Sequence, residues 1–305
     1  MSVCDISAVA AGPALETVRL DLGGTTWELR SFTEGLRIEL DGRTAEFVNH
    51  GAQPADAVVD IGWGGEFWEP GPVLFDAGPW RAYPAGDGIQ FDFFTHLLGP
   101  AAYRRAIFDA EFTAGTLLLN RRLLGQLGSY YPFEYPLDEL ASMHRLGRGA
   151  GVELHSCGVA LDSGRGFLFV GHSGAGKSTL GKNWVQHRNA AILSDDRVVV
   201  TVDDRGYRMH GTPWHGEAGL ARNASAELKA IFFIQHALRN EAVPMKAAQA
   251  ATELFARSFV PWYRAEALDF TMAFLQRMTE RVPVYAFHCL PDVSAVEYLE
   301  RHHAH

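Results

Sequence analysis

Cysteine is scarce in this chain of 305 residues: there are only Cys4, Cys157 and Cys289, odd in number and without C-x-x-C spacing. A disulfide framework or a zinc ribbon is thereby excluded, and buried thiols in a reducing compartment are expected. No apolar run approaches the roughly 18 residues of a membrane span. Met1-Ser-Val-Cys-Asp-Ile has neither the basic start nor the apolar stretch of a secretion signal. The expectation is a cytoplasmic protein with no membrane partner. Positive charge is short as well: 27 Lys and Arg face 36 Asp and Glu, a net charge of −9. No basic stripe is available to displace counterions, so nucleic acid is not an expected partner. Internal repeats and low-complexity tracts are also missing, which leaves one or two ordinary globular domains.

Up to about residue 120 the pattern has period two and is punctuated by turns. Thr17 to Leu22, Thr26 to Arg30, Leu36 to Leu40 and Ala45 to Val48 alternate apolar and polar residues, with hairpin signals at Gly23-Gly24 and Asp41-Gly42. Ala57 to Ile61, Ile89 to Phe93 and Thr116 to Leu119 add further strands. The Trp-rich loop from Gly62 to Pro72 reads as aromatics closing a small β core, with a binding surface as the alternative. The pairs Arg104-Arg105 and Arg121-Arg122 read as solvated surface, with contact to an anionic ligand as the alternative. Residues 1–130 are thus expected to form a mainly-β accessory domain, and residues 131–305 a second domain. A helix from Leu137 to Leu146, ended by Gly147, Gly149 and Gly151, joins them.

The informative stretch is Phe167-Leu-Phe-Val-Gly171-His-Ser-Gly174-Ala-Gly176-Lys177-Ser178-Thr179. It matches the phosphate-binding pattern G-x-x-x-x-G-K-[ST] at every fixed position, between an apolar strand and a helix. Glycines let successive backbone N–H groups point into one concavity, and the helix start adds its dipole. Gly171, His172, Ser173, Gly174, Ala175, Gly176, Lys177, Ser178 and Thr179 are therefore expected around a nucleoside triphosphate. Lys177 would supply a mobile charge for the outer phosphates, and the Ser178 hydroxyl would bind Mg²⁺.

Before this loop, Val152 to Leu161 reads as a strand carrying His155, and Asp162 to Gly166 as a hairpin turn. After it, Ala191 to Val200 is an apolar strand broken by Asp195 and Asp196. Buried carboxylates are costly unless paired or bound to metal. On an extended backbone the two point to opposite faces, so one could hold Mg²⁺ and the other could take a proton from an attacking hydroxyl. Which does which stays open. Farther on, Glu227 to Gln235 and Val284 to Cys289 read as strands, with helices over Pro244–Phe259, Arg264–Arg281 and Val293–Arg301. Arg257, Arg264 and Arg277 are candidates for a charge-stabilising contact, and none is singled out.

The order His155, then Gly171-His-Ser-Gly-Ala-Gly-Lys-Ser, then Ser194-Asp-Asp-Arg resembles the catalytic domain of the HPr serine kinase/phosphorylases over residues 145–240. That family shares its fold with ATP-dependent phosphoenolpyruvate carboxykinases. The resemblance implies an α/β (α+β) P-loop domain with a mixed sheet, phosphates on Lys177 and the loop amides, a base from Asp195/Asp196 and His155 near the transferred group. It also implies hexamers as a familiar assembly, so a homo-oligomer is an open option. The chain departs from the family at Thr179, where the bifunctional enzymes carry an acidic residue, and its glycine-rich signature is not recognisable. In that vicinity lies Gly211-Thr-Pro-Trp-His215-Gly-Glu217-Ala-Gly, where His215 and Glu217 are candidate metal or substrate contacts. The resulting expectation is a kinase using ATP or GTP and Mg²⁺ to phosphorylate a hydroxyl of a protein, peptide or small molecule. The alternative is a nucleotide-binding regulatory module without phosphoryl transfer. Carboxykinase chemistry is disfavoured by length and by the lack of a manganese-binding Lys/His set.

Overall fold

In the computed structural model the described residues are 12–303 except Glu69, Ser173, His215 and Glu217. Cys4 and the expected site residues Ser173, His215 and Glu217 thus lie outside them. The chain is mixed α/β and mostly β. It divides into two units, one built from residues up to Asp21 with Thr25–Arg145, the other from Leu22–Gly24 with Leu146 onward. No helix among the described residues is long and apolar enough to cross a membrane.

In the first unit the period-two segments become β1 (Glu16–Leu22) and β2 (Thr25–Ser31), joined at Gly23-Gly24. Both glycines have positive φ, 60° and 82°, as a two-residue hairpin turn requires. There follow β3 (Arg37–Ile38), β4 (Ala57–Gly64), β5 (Phe75–Asp76), β6 (Trp80–Ala85), β7 (Gly88–Phe93), β8 (Arg104–Phe108) and β9 (Ala114–Asn120). Eight of these form one sheet in the order β1-β2-β4-β9-β8-β7-β6-β5. Then come α1 (Arg121–Leu124), β10 (Ser129–Tyr130), which pairs with β3, and α2 (Leu137–Arg145). Trp27, Phe91, Phe108, Phe112 and Phe133 form an aromatic core, with His144 of α2 stacked on Phe112.

Four expectations change here. Ala45 to Val48 is no strand but part of a single 3-10 turn, Thr44–Phe47. The Asp41 carboxylate accepts from the N–H groups of Arg43 and Thr44 and starts the turn, and the buried pair Thr44 and Phe47 has helical spacing. Arg104 and Arg105 are neither surface nor ligand-facing. Both are buried on β8, Arg105 donating two 2.7 Å bonds to Asp92 and Arg104 donating to the Pro132 carbonyl at 2.6 Å over the Phe93 ring. The Trp-rich loop does not close the core: Trp68 is 77% exposed and lines a cavity of about 410 Å³ with Phe67, Leu98 and Pro100. Finally, α2 belongs to the first unit, so the division falls at Arg145–Leu146.

The second unit is a nine-stranded mixed sheet. It runs β11 (Gly151–Leu161), β12 (Arg165–Val170), α3 (Lys177–His187), β13 (Ala190–Ser194), β14 (Arg197–Asp203), β15 (Gly206–His210), β16 (Ser225–His236), β17 (Glu241–Pro244), α4 (Ala247–Phe255), β18 (Ser258–Phe259), α5 (Ala265–Arg281), β19 (Val284–Cys289) and α6 (Val293–His303). On β12, Leu168 and Val170 join one apolar cluster with α4 and α5 while Phe167 and Phe169 join another with α3 and α6. Both faces of the sheet are therefore covered by helices, and the strand reads as a continuous apolar run. β12 is antiparallel to β11, as the Asp162 to Gly166 turn predicts, but parallel to β16, and β16 is parallel to β19.

His210, on β15, bonds the Thr201 hydroxyl through Nε2 at 2.8 Å. Burial, with the Arg208 charge adding to it, pushes its pKa down to about 4. The unfolded chain then takes up a proton first as pH falls, so stability is full above about 6.5 and drops toward pH 4. The slope is up to about 1.4 kcal/mol per pH unit. Urea midpoints of the wild type should fall between pH 7 and pH 5, and those of His210→Gln should fall less steeply.

Candidate functional site

The site is assembled by one strand that changes partners on both edges. Along one edge β11 pairs with β18 at Glu153 and Leu154, then with β12 from Ser156 onward. Along the other it pairs with β14 up to His155↔Arg197, then with β13 from Gly158, across a register shift. Both exchanges flank residues 155–156. The His155 N–H donates to the Arg257 carbonyl at 2.8 Å, and the Ser156 N–H donates to the Asp196 carbonyl at 2.9 Å. Ser156 sits opposite Val170, the residue before Gly171. Four segments far apart in sequence thus meet at His155, as chains do at switch points of sheets that carry ligands.

The glycine loop fits its sequence signature. Gly174 and Gly176 take φ of 79° and 93°, left-handed values that any other residue would adopt under strain. Gly176 immediately precedes α3, so the loop delivers Lys177 as the first helical residue. The Lys177 ammonium is buried and donates to the carbonyls of Gly171 at 2.9 Å and His172 at 3.2 Å. Its Nζ also lies 3.2 Å from Nε2 of His155. Nδ1 of His155 lies 3.1 Å from Oδ1 of Asp196, whose Oδ2 accepts from Arg197. With Lys177 donating, Nε2 must accept, and the imidazole proton resides on Nδ1 facing Asp196.

The electrostatics follow from these contacts. Burial lowers the pKa of Lys177, partly opposed by the nearby Asp196. Burial works against the charge of Asp196, but the His155 bond and the charges of Arg197 and Lys177 outweigh it and hold its carboxyl below the ordinary range. Arg257 approaches from the other side: it bonds Glu253 at 2.7 Å and lies 3.3 Å from Nε2 of His172. Of the three arginines left equivalent by the sequence, Arg257 is the one the fold brings to the loop. Arg264 is instead placed 3.7 Å from Glu266.

The two aspartates separate, but not on an extended backbone: both lie in the bend between β13 and β14. The Ser194 hydroxyl accepts from the N–H groups of Asp196 and Arg197 at 3.3 and 3.1 Å and fixes the break between β13 and β14. Asp196 faces His155. Asp195, 3% exposed, accepts from the N–H groups of Gly216 at 3.0 Å and Ala218 at 3.1 Å. It clasps the loop after Gly211, and Gly216 packs so closely that an added Cβ would lie 3.2 Å from that of Asp196. The loop flagged in the sequence therefore reaches the acidic pair. Ser178 follows Lys177 at the helix start, half-buried, and Thr179 is exposed. Arg197 was visible only as the fourth residue of Ser194-Asp-Asp-Arg. That it is the partner of Asp196 follows from the register of β14.

The second unit is thus a helix-covered mixed sheet with a glycine loop, a buried lysine and a histidine–aspartate pair at one point. A family model described as the SynChlorMet cassette protein ScmC matches residues 140–290, a span that contains every residue of this cluster. No curated protein matches the chain.

Loss of two bonds to a charged, buried acceptor should make Asp195→Ala about 3 kcal/mol less stable than wild type. Asp196→Asn keeps its shape and half its solvent contact and should lose about 1 kcal/mol or less. Equilibrium urea unfolding of both variants checks the difference, and equal losses would contradict the separate placements.

Proposed function

We propose that the chain is a kinase with an HPr-kinase-like P-loop domain, moving the γ-phosphoryl group of ATP or GTP to a hydroxyl. The acceptor is a protein or peptide serine or a small-molecule alcohol. What carries the reading is one observation: the lysine of a triphosphate-binding sequence lies within hydrogen-bond distance of a histidine whose other nitrogen meets an aspartate.

In this mechanism the loop amides and Lys177 hold the phosphates, and Arg257 adds positive charge beside His172. The Ser178 hydroxyl would hold Mg²⁺ together with Asp195, whose oxygens each retain a lone pair beyond their backbone bond. Among the described residues no group of three or more His, Cys, Asp or Glu is placed to hold a metal ion. That suits an ion held by one or two carboxylates plus phosphate oxygens rather than by a protein cage. When bound, the ion neutralises charge on the β- and γ-phosphates. Asp196, oriented by His155 and Arg197, accepts the proton of the acceptor hydroxyl. The oxygen then bonds to the γ-phosphorus, the bond to the β-phosphate oxygen breaks, and the nucleoside diphosphate leaves. A carboxylate held below its usual pKa is a weak base, which suffices where the transition state is loose and catalysis is mostly positioning.

The test is incubation of wild type, Lys177→Ala and Asp196→Asn with γ-labelled ATP and cell lysate, alongside nucleotide binding by calorimetry. Wild type should label a protein band or a small molecule. Lys177→Ala should lose both binding and labelling. Asp196→Asn should bind nucleotide within about threefold of wild type while its turnover falls about 10²–10⁴-fold. A regulatory module would instead bind nucleotide and be indifferent to Asp196, and a chain that binds no Mg-nucleotide would end the reading.

A further inference from the structure

The glycine loop has two sides, and the cluster described above occupies one of them. His155, Asp196 and Arg257 all lie on the β11 side of β12. On the other side β12, β16 and β19 run parallel, with Val170 opposite Phe233 and His236 opposite Cys289. The carboxyl ends of β16 and β19 are therefore level, with β12 ending three residues earlier at the glycine loop, and in open α/β sheets ligands settle at such carboxyl ends. A cavity of about 100 Å³ opens there, between the Gly174–Gly176 stretch, α3 and the chain following β19. At about 10–15 Å³ of such volume per water, it holds a single flat ring system rather than a whole nucleoside.

Its lining has a definite chemistry. Leu180, Ile234, Leu290 and Pro291 give it apolar walls, and among the described residues no Asp, Glu, Lys or Arg lines it. Asn183 also lines it, and the Asn183 Nδ2 is buried without a hydrogen-bond partner in the protein. A buried amide without a partner is costly, so it calls for a ligand that supplies one. His236, at the end of β16, lies 3.3 Å from the Gly174 carbonyl and ties the loop to this crevice. A neutral, flat, apolar group whose polar edge accepts a hydrogen bond satisfies these features, and the oxygen of the same Asn183 amide can accept in return.

We propose that this crevice takes the adenine base of the nucleotide, with the Asn183 amide paired to the base edge that carries N6 and N7. The inference rests on the phosphate reading above and deepens it. A triphosphate whose outer end lies at Lys177 and His155 runs across the glycine loop, and its base emerges on the β16–β19 side. The base specificity of the site then resides in α3 and the Leu290-Pro291 turn, remote from the residues that handle the phosphoryl group.

Calorimetric titration of wild type, Asn183→Leu and Pro291→Trp with ATP, GTP and inorganic tripolyphosphate, all with Mg²⁺, tests this. Pro291 is exposed, so its replacement blocks the mouth of the crevice without disturbing the core. Wild type is expected to bind ATP at least tenfold more tightly than GTP or tripolyphosphate. Both variants are expected to lose about tenfold for ATP and nothing for tripolyphosphate. Wild type that binds ATP and tripolyphosphate alike, or GTP more tightly than ATP, overturns the base site and leaves the phosphate reading standing. So do variants that keep wild-type ATP affinity, or that lose tripolyphosphate along with ATP. Wild type that binds none of the three overturns both.

Discussion

β11 is the constraint on which the second unit depends. Eleven residues of one strand pair with β12, β13, β14 and β18, and the exchanges of partner on its two edges coincide at His155 and Ser156. Backbone hydrogen bonds of buried strands are obligatory, so the register of these four pairings is not adjustable piece by piece. A shift of one residue on β14 would take Arg197 from its place opposite His155 and send the apolar Val198 and Val200 to the wrong face. The glycines of the strand serve the same end. Gly151 lies so close to β14 that an added Cβ would sit 2.4 Å from the Val200 carbonyl oxygen, and the shift in pairing occurs just after Gly158. The chemistry at His155 is thus held by the sheet and not by a mobile loop.

Much of this was legible in the sequence. The strand, turn and helix around Gly171–Ser178 carry an unambiguous pattern of apolar run, glycines and lysine. The break at Asp195-Asp196 shows because two carboxylates interrupt an apolar strand that then resumes. The even–odd rule for strands does not explain why the two part, since both lie in a bend where the Ser194 hydroxyl breaks the strand. The rest was hidden because it is tertiary. Arg104 and Arg105 look like surface charge until Asp92, on the neighbouring strand, is seen to supply the matching bidentate carboxylate. Arg257 stands out from Arg264 and Arg277 only once β18 is paired to β11. Thr44 to Phe47 alternates like a strand, and only the Asp41 cap decides for a helical turn. Local pattern fixes an element, and contacts distant in sequence decide what its polar residues do.

The asymmetry of β12 gives the glycine loop two unlike sides. Its antiparallel neighbour, β11, brings charge: His155, and through it Asp196 and Arg197. Its parallel neighbour, β16, brings apolar side chains and a shared carboxyl end with β19. In a wholly parallel sheet both neighbours would enter from helices and present loop ends of the same kind. The hairpin before the glycine loop replaces one of them with mid-strand residues. A histidine in the middle of a strand is far better fixed than one on a loop, and a phosphoryl group needs partners placed to within about half an ångström.

The hydrogen bonds of Lys177 link the two sides. Its ammonium has three donors, and Gly171, His172 and His155 take all three. Under the proposed reading, a phosphate oxygen competing for that ammonium must replace one of these acceptors. The two carbonyls belong to the backbone of the loop itself and move only if the loop refolds. His155 is a side chain with a second anchor, the Asp196 contact at 3.1 Å, and giving up Lys177 costs it one bond without unmaking the other. The displaced contact leaves Nε2 with an unshared lone pair, while the Nδ1 proton stays directed at Asp196. Arrival of the phosphate would then itself release the histidine from the amine and leave it to orient the Asp196 carboxylate alone. On that reading, orientation of the base and phosphate binding would be one event, linked through a single amine.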